Sequence, residues 1–366
     1  MRVGTLVSVA ISVAGAVRAD TAKIGALVLD AETRQPVEGV AMTGHFEMSN
    51  GWLAWKGSAT PNMVDVETDR EGRCRASART NMGRAGWHVE KVPEGYYRPV
   101  HGGWWEFKRK NLLGVWQPDD AVSTVLVQRV GHPIPLVGRS VHGDIVTPAR
   151  VDLIGKAGGR LGYDFLRGDW LPPVGRGETA DVVFVREPPV ELGMVKDELS
   201  ERTGRSYRQR VTMRFPGKDN GIVEAGTPDY SVPRIRTAPE GGYGPGLDFE
   251  YEVDKALEEV RRFHPGKAFA FRIRARRDEQ GRLVEAYYGK IYGGLEVEGA
   301  RGAVKGTYED MGEPRFSYFL NPASLDRNLE WDQKTVLKWN PGAGRLEPLP
   351  RYDGHKLFLG WGSRAP

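Results

Sequence analysis

Leu247-Asp248-Phe249-Glu250-Tyr251-Glu252-Val253-Asp254 sets apolar and acidic side chains in strict alternation, and Phe271-Arg272-Ile273-Arg274-Ala275-Arg276 repeats the pattern with arginine in place of the acids. A period of two belongs to a β-strand with one face toward a core and the other toward water. Asp278-Glu279-Gln280-Gly281 then reads as a turn, with Asp as the side-chain cap and Gly as the residue that accepts a positive φ. Folding back through a two-residue loop there sets Arg274 opposite Glu285 and Arg272 opposite Tyr287. Between the two strands, Val253, Ala256, Leu257 and Val260 fall at helical spacing, which predicts a short helix or helical turn over 254–263.

The charged faces admit two functional readings: the four carboxylates as a calcium site, or the three arginines as a surface for an anionic polymer. A structural reading is simpler. Opposite charges across neighbouring strands of a solvated face stabilise by roughly 0.2–1 kcal/mol a pair, and these two strands carry complementary faces. The expectation is therefore a cross-strand ladder in water.

Composition agrees with a chain of sheets. Of 366 residues, 40% are apolar and 27% charged, which excludes a disordered or membrane-embedded class. Gly 47 and Pro 24 are spread along the whole length, so turns are many and long helices few. The expected fold class is mainly β. The formal charge of +4 is small, and Arg2 and Arg18 contribute two of it, so no nucleic-acid partner is implied. Cys74 is the only cysteine. It excludes an intramolecular disulfide or a multi-thiolate metal site, and it reads as a small buried hydrophobe.

Residues 1–19 read as an export signal: Arg2, an apolar run over 3–17, and Ala19 where a signal peptidase needs a small residue. The run is shorter than the roughly 20 residues that span a bilayer, so no transmembrane segment is expected. The expected location is the periplasm, the cell surface or the medium.

Next come short strands over 23–30, 37–42, 65–68, 73–79, 89–92 and 123–130. Between them stand Ala31 to Pro36, Asp69-Arg70-Glu71-Gly72 and Pro93-Glu94-Gly95 as turns, with 73–79 continuing a hairpin. In Gly25-Ala26-Leu27-Val28-Leu29-Asp30, Gln35-Pro36-Val37-Glu38-Gly39-Val40, Thr68-Asp69-Arg70-Glu71-Gly72 and Pro93-Glu94-Gly95-Tyr96-Tyr97, this part resembles the carboxypeptidase regulatory-like domain. That resemblance, over about 22–130, implies a seven-stranded, transthyretin-like β-sandwich; the expected domains are this sandwich at 20–130 and, from the pattern of the remaining residues, a larger, mostly antiparallel β region with little helix at 131–366. Its motifs are turns and glycines, and it implies no peptidase activity. Residues 43–62, with Trp52 and Trp55, and 101–118, with Trp104, Trp105 and Trp116, read as insertions into it.

Gly- and Pro-rich 131–148 reads as a connection between domains, 180–185 and 211–215 as strands, and 195–202 as one or two helical turns. Residues 303–308 and 315–320 read as two more strands. The run 321–332 is similar to C-terminal segments of exported bacterial proteins that carry the same sandwich, a family with no activity to transfer. Its Arg327, Asn328, Glu330 and Asp332 have the polar capacity to lock a turn.

Motifs for chemistry are missing. There is no His-Glu-x-x-His, no Gly-x-Ser-x-Gly, and no phosphate-binding or dinucleotide-binding glycine pattern. The seven histidines, at 45, 88, 101, 132, 142, 264 and 355, are scattered, with no second ligand at metal spacing, so no metal and no cofactor is expected. Asp164 and Asp169 flank an aromatic turn with Tyr163, Phe165 and Trp170 and are the first candidates for a glycosidase carboxylate pair. The competing reading makes them turn caps. Ten tryptophans are many for such a chain, and Trp52, Trp55, Trp104, Trp105 and Trp116 are the ligand-binding candidates, because indole faces stack on sugars. They can equally fill a sandwich core. The reading that results is an exported, non-catalytic β-sandwich module that binds a glycan or protein partner or serves a structural role. The alternative is a polysaccharide hydrolase whose carboxylates converge only in the fold.

Overall fold

Both alternating stretches are strands in the computed structural model. It describes residues 20–48, 61–99, 102–112, 114–141, 153–196, 203–226, 235–253, 259–262, 267–299 and 311–349. The expected leader, Trp52, Trp55 and the strand expected over 303–308 lie outside the described residues. The chain is mainly β and divides into two units, the second beginning at Gly131.

The first unit contains β1 (Thr21–Asp30), β2 (Ala41–Phe46), β3 (Asn62–Glu67), β4 (Arg73–Arg79), β5 (Arg84–Lys91), β6 (Tyr96–Tyr97), β7 (Trp104–Glu106), β8 (Arg109–Lys110), β9 (Trp116–Gln117) and β10 (Ala121–Arg129). They form two four-stranded sheets, ordered β4-β1-β10-β6 and β3-β2-β5-β7, plus the pair β8-β9. The described residues thus place eight strands in the two sheets, where the resemblance implied seven; β6 and β7 are short additions at the edges. One core lies between the sheets. Ile24, Val28, Val125 and Val127 meet Met42, Phe46, Trp87 and Val89, because alternate residues of each strand point the same way. Cys74 belongs to this core, and burial pushes its thiol up to about 11, as expected of a packed hydrophobe.

The turn at 69–72 forms as expected but joins different partners. Asp69 Oδ1 accepts the amides of Glu71 at 3.0 Å and Arg73 at 2.8 Å. Gly72 has φ +69°, and a Cβ there would stand 2.4 Å from the Val28 carbonyl oxygen. Yet β3 pairs with β2 and β4 with β1, so this is a corner between sheets and not a hairpin. Local turn chemistry fixes the reversal, while the core decides which neighbour each strand takes.

The second unit holds β11 (Ile134–Val141), α1 (Leu153–Lys156), β12 (Arg160–Asp164), β13 (Asp169–Trp170), β14 (Val182–Arg186), β15 (Val190–Lys196), β16 (Thr203–Arg214) and β17 (Gly221–Gly226). It continues through β18 (Gly246–Val253), β19 (Glu259–Arg262), β20 (Ala268–Arg277), β21 (Leu283–Gly299), β22 (Met311–Leu320), β23 (Trp331–Asn340) and β24 (Arg345–Pro348). One sheet runs β17-β20-β21-β22-β11-β23-β24; the other runs β13-β12-β14-β16-β18-β19, with β15 also on β16. Their shared core is aromatic: Phe165, Phe184, Phe271, Phe316 and Tyr318 are fully buried, and Phe165 stacks on Phe271 at 4.4 Å.

Four expectations are corrected here. Residues 134–141 are no connection but β11, between β22 and β23. Its Pro135, which has no N–H to donate, falls at the register irregularity between Ile134 and Leu136. Val195 and Lys196 end β15 and are not helical, while 197–202 lie outside the described residues. Residues 259–262 form β19 and not the expected helix; 254–258 and 263 lie outside the described residues. A single turn of helix is costly to nucleate, whereas pairing with β18 places Arg262 opposite Glu250 and Val260 opposite Glu252. Lastly, β18 and β20 lie in different sheets, so their faces do not form a ladder with each other. The acidic face of β18 meets Arg208, Arg210 and Arg214 of β16, with Arg208–Glu252 and Arg214–Asp248 at 2.8 and 2.9 Å.

Candidate functional site

A β-bulge explains the basic strand. Ile273 pairs with Tyr287 and Arg276 with Glu285, so β20 carries one residue more than β21 between these pairs. Sequence reasoning, with a regular ladder, set Arg274 against Glu285 and Arg272 against Tyr287. Arg274 instead sits at φ +51° and is turned off the face of Arg272, toward the facing sheet. Arg272, 9% exposed, donates to the Asp219 carbonyl at 2.6 Å and lies over the Tyr243 ring at 4.6 Å. Arg276 pairs with Glu285 at 3.1 Å. The three arginines are therefore engaged within the unit and do not form one solvated face.

Arg274 reaches the carboxylates singled out from the sequence, and one that was not. Its Nε donates to Asp181 Oδ1 at 2.8 Å, and its Nη2 donates to Asp181 Oδ2 at 2.9 Å and Asp164 Oδ1 at 2.7 Å. Asp164 and Asp181 are 1% and 2% exposed. Asp164 also accepts the amides of Leu166, Arg167, Glu178 and Thr179, and Asp181 accepts that of Phe165. Burial pushes the Asp181 carboxyl above its ordinary value, and the Arg274 guanidinium opposes that shift. The left-handed backbone at Arg274 costs roughly 1–2 kcal/mol. Hydrogen bonds to charged groups contribute about 1.5–3 kcal/mol each, so the cluster outweighs the strain.

Asp169 is also a cap: its Oδ1 accepts the Trp170 amide at 2.8 Å and its Oδ2 the Arg176 amide at 3.1 Å. Tyr163 and Phe165 are in the core, and Trp170 packs edge-on against Tyr163 at 4.7 Å. The proposed carboxylate pair thus anchors turns around an aromatic core. Asp181 was missed because its sequence shows only Ala180-Asp181-Val182, with nothing to mark a buried partner for Arg274.

The described tryptophans divide by environment. Trp105 donates to Ser123 Oγ and Trp116 to the Thr80 carbonyl, each at 2.8 Å, and both pack on the core of the first unit. Trp104 is 55% exposed. Its ring lies over Gly86, where a Cβ would stand 2.5 Å from Trp104 Cδ2. The cross-strand pairs His45–Met63, His45–Gly86 and Gly86–Trp104 place Met63, His45, Gly86 and Trp104 in one row across four strands.

The run 321–332 is locked by its own side chains and by distant segments. Asn321 donates to the Asp326 and Asn328 carbonyls, Asn328 Oδ1 accepts the Glu330 amide, and Asp332 Oδ1 accepts the Lys334 and Thr335 amides. Glu330 accepts the amides of Gly131 and His132 at 2.7 and 2.8 Å, and Arg327 Nε donates to the Ala238 carbonyl at 2.7 Å. Among the described residues no three or more His, Cys, Asp or Glu side chains group as ligands for one ion. No helix among them is long and apolar enough to cross a membrane.

No family model matches the chain, and no curated protein matches it. The carboxypeptidase regulatory-like assignment is therefore unconfirmed. Solved structures similar to it include the full-length major pilin SpaD from Corynebacterium diphtheriae, at 9% identity over 89% of this chain and 90% of that one, with a TM-score of 0.22. BcpA, the major pilin subunit of Bacillus cereus, is 8% identical over 91% and 93%, also with a TM-score of 0.22. A group B streptococcus pilus 2b backbone protein is 13% identical over 29% of this chain and 40% of its own length, with a TM-score of 0.21. Likenesses at TM-scores of 0.21 and 0.22 carry no statement about function.

Proposed function

We propose that the chain is an exported, non-catalytic β-sandwich module that binds, or holds in an assembly, a partner outside the cytoplasm, a glycan or a cell-surface protein. The observation that carries this reading is the closure of Asp164 and Asp181 by Arg274 and backbone amides. Of the carboxylates best placed in sequence for hydrolysis, Asp164 is buried and Asp169 is half-buried, and both are engaged as turn caps. Nothing in the geometry favours the hydrolase alternative.

Trp104, 55% exposed with its ring resting on Gly86, is the described tryptophan whose ring is open to a partner. A panel of glycans and surface proteins, titrated against wild-type and Trp104→Ala chains, tests the reading. A saturable emission change in the wild type and its loss in the variant are expected. Release of reducing ends from a polysaccharide by homogeneous protein would overturn it.

A further inference from the structure

We propose that His45 and His88 form a two-imidazole site for a borderline divalent transition ion, of the Cu(II) and Zn(II) class, on the face of the sheet β3-β2-β5-β7 turned away from the core. The site needs no macromolecular partner and stands whether or not that face binds one.

The strands alternate so that Met42, Phe46, Trp87 and Val89 enter the core. Thr43, His45, His88 and Glu90 are left on the opposite face. His45 pairs across β2 and β5 with Gly86, and Thr43 with His88, so the two imidazoles stand at diagonal positions with no side chain on Gly86 to separate them. Their ring centres are 6.0 Å apart and their planes cross at 68°. Two imidazoles that share one ion at an N–metal distance of about 2.0–2.1 Å can have ring centres up to about 6.3 Å apart. The observed separation corresponds to an N–metal–N angle of roughly 140°, wider than tetrahedral, so binding an ion would draw the two rings together by under about 1 Å.

Each ring has the nitrogen such a site uses. His88 Nδ1 is 2.9 Å from Glu90 Oε1, the carboxylate contact that fixes a ligating imidazole's tautomer and leaves Nε2 for the ion. His45 Nε2 is buried and has no hydrogen-bond partner. A buried polar atom left unpaired is costly, and coordination would satisfy it.

The surrounding charge is mixed and favours a cation. Asp65, across from Thr43, accepts that hydroxyl at 2.6 Å, and Glu90 adds a second carboxylate. Arg98, 3.9 Å from Glu90, opposes them. Among the described residues no third His, Cys, Asp or Glu converges on the same point, so water would complete the shell and the affinity would be that of an open site. For an imidazole site, Cu(II) is bound more tightly than Zn(II) by the general order of divalent affinities.

The test is calorimetric titration of the full chain, without a histidine tag, with Cu(II), Zn(II) and, as a control, Mg(II). One Cu(II) per chain, weaker Zn(II) and no Mg(II) are expected. His88→Asn should abolish the saturable step, and Glu90→Gln should weaken it about tenfold, which a merely packed histidine would not require. His88 is half-exposed, so its variant is expected to fold; should His45→Asn fail to fold, His88→Asn decides alone. Absence of saturable Cu(II) binding, or an affinity unchanged in His88→Asn, overturns the site.

Discussion

Arg274 grips Asp181 with two arms of one guanidinium, Nε to Oδ1 at 2.8 Å and Nη2 to Oδ2 at 2.9 Å. Removing the Arg274 cation would leave Asp181 with the Phe165 amide and Asp164 with backbone amides and the more distant Arg167 Nε at 4.0 Å. Arg274→Ala should therefore lose about 3–5 kcal/mol in urea unfolding, and Arg274→Lys should recover only part, because an ammonium cannot engage both oxygens in the same plane. A loss below about 1 kcal/mol would show that the cluster is not a buried ion pair.

Asp30 gives the first unit a defined acid response. Burial raises its pKa, but the Thr33 amide, Arg129, the Glu32 amide and Tyr96 outweigh that and hold the carboxyl well below its ordinary range. A depressed acid contributes stability that is fully present above the unfolded value, about 3.9, and that is lost as pH falls toward the folded value. Hydrogen exchange of the β1 amides should accelerate below about pH 4 in the wild type, and this acceleration should shrink in Asp30→Asn. Identical pH profiles would rule out this role.

Gly86 is the floor beneath Trp104. Gly86→Ala should cost about 1–3 kcal/mol through overpacking, since the new methyl also meets the Gly103 carbonyl oxygen at 2.8 Å. The Trp104 emission should move to the red as the ring is lifted into water. A difference spectrum against the same change in a Trp104→Phe chain isolates that ring.

Arg327 ties the run 321–332 to residues 238–240, with Nε on the Ala238 carbonyl and Nη1 on Glu240, both at 2.7 Å. Arg327→Ala should lower stability by about 1–2 kcal/mol, read as a fall in Tm. An unchanged Tm would mean that Leu329, buried beside Ala286 and Tyr288, holds the run by packing alone.

The sheets were legible because strands with one wet face advertise themselves by alternation. Leu247 to Val253 and Phe271 to Arg276 needed only that period. Pairing was not legible: nothing local distinguishes β16 from β20 as the basic neighbour of β18, since both alternate arginine with apolar residues. The bulge at Arg274 leaves no mark in sequence either, and with it went the register of the hairpin. Of the candidate site, the capping role of Asp164 and Asp169 was readable from turn composition. The meeting of His45 and His88 was not, because it depends on a register set by the core on the other side of the sheet.

Strand β11 has consequences for how the second unit comes together. Its Val137 lies between Leu320 on one side and Leu337 on the other, so its two neighbours, β22 and β23, are synthesised long after it. Until then an apolar ribbon beginning at Ile134 has both edges open, and open edges recruit strands from other molecules. Chains interrupted before residue 311 should accordingly form aggregates and not a smaller folded product.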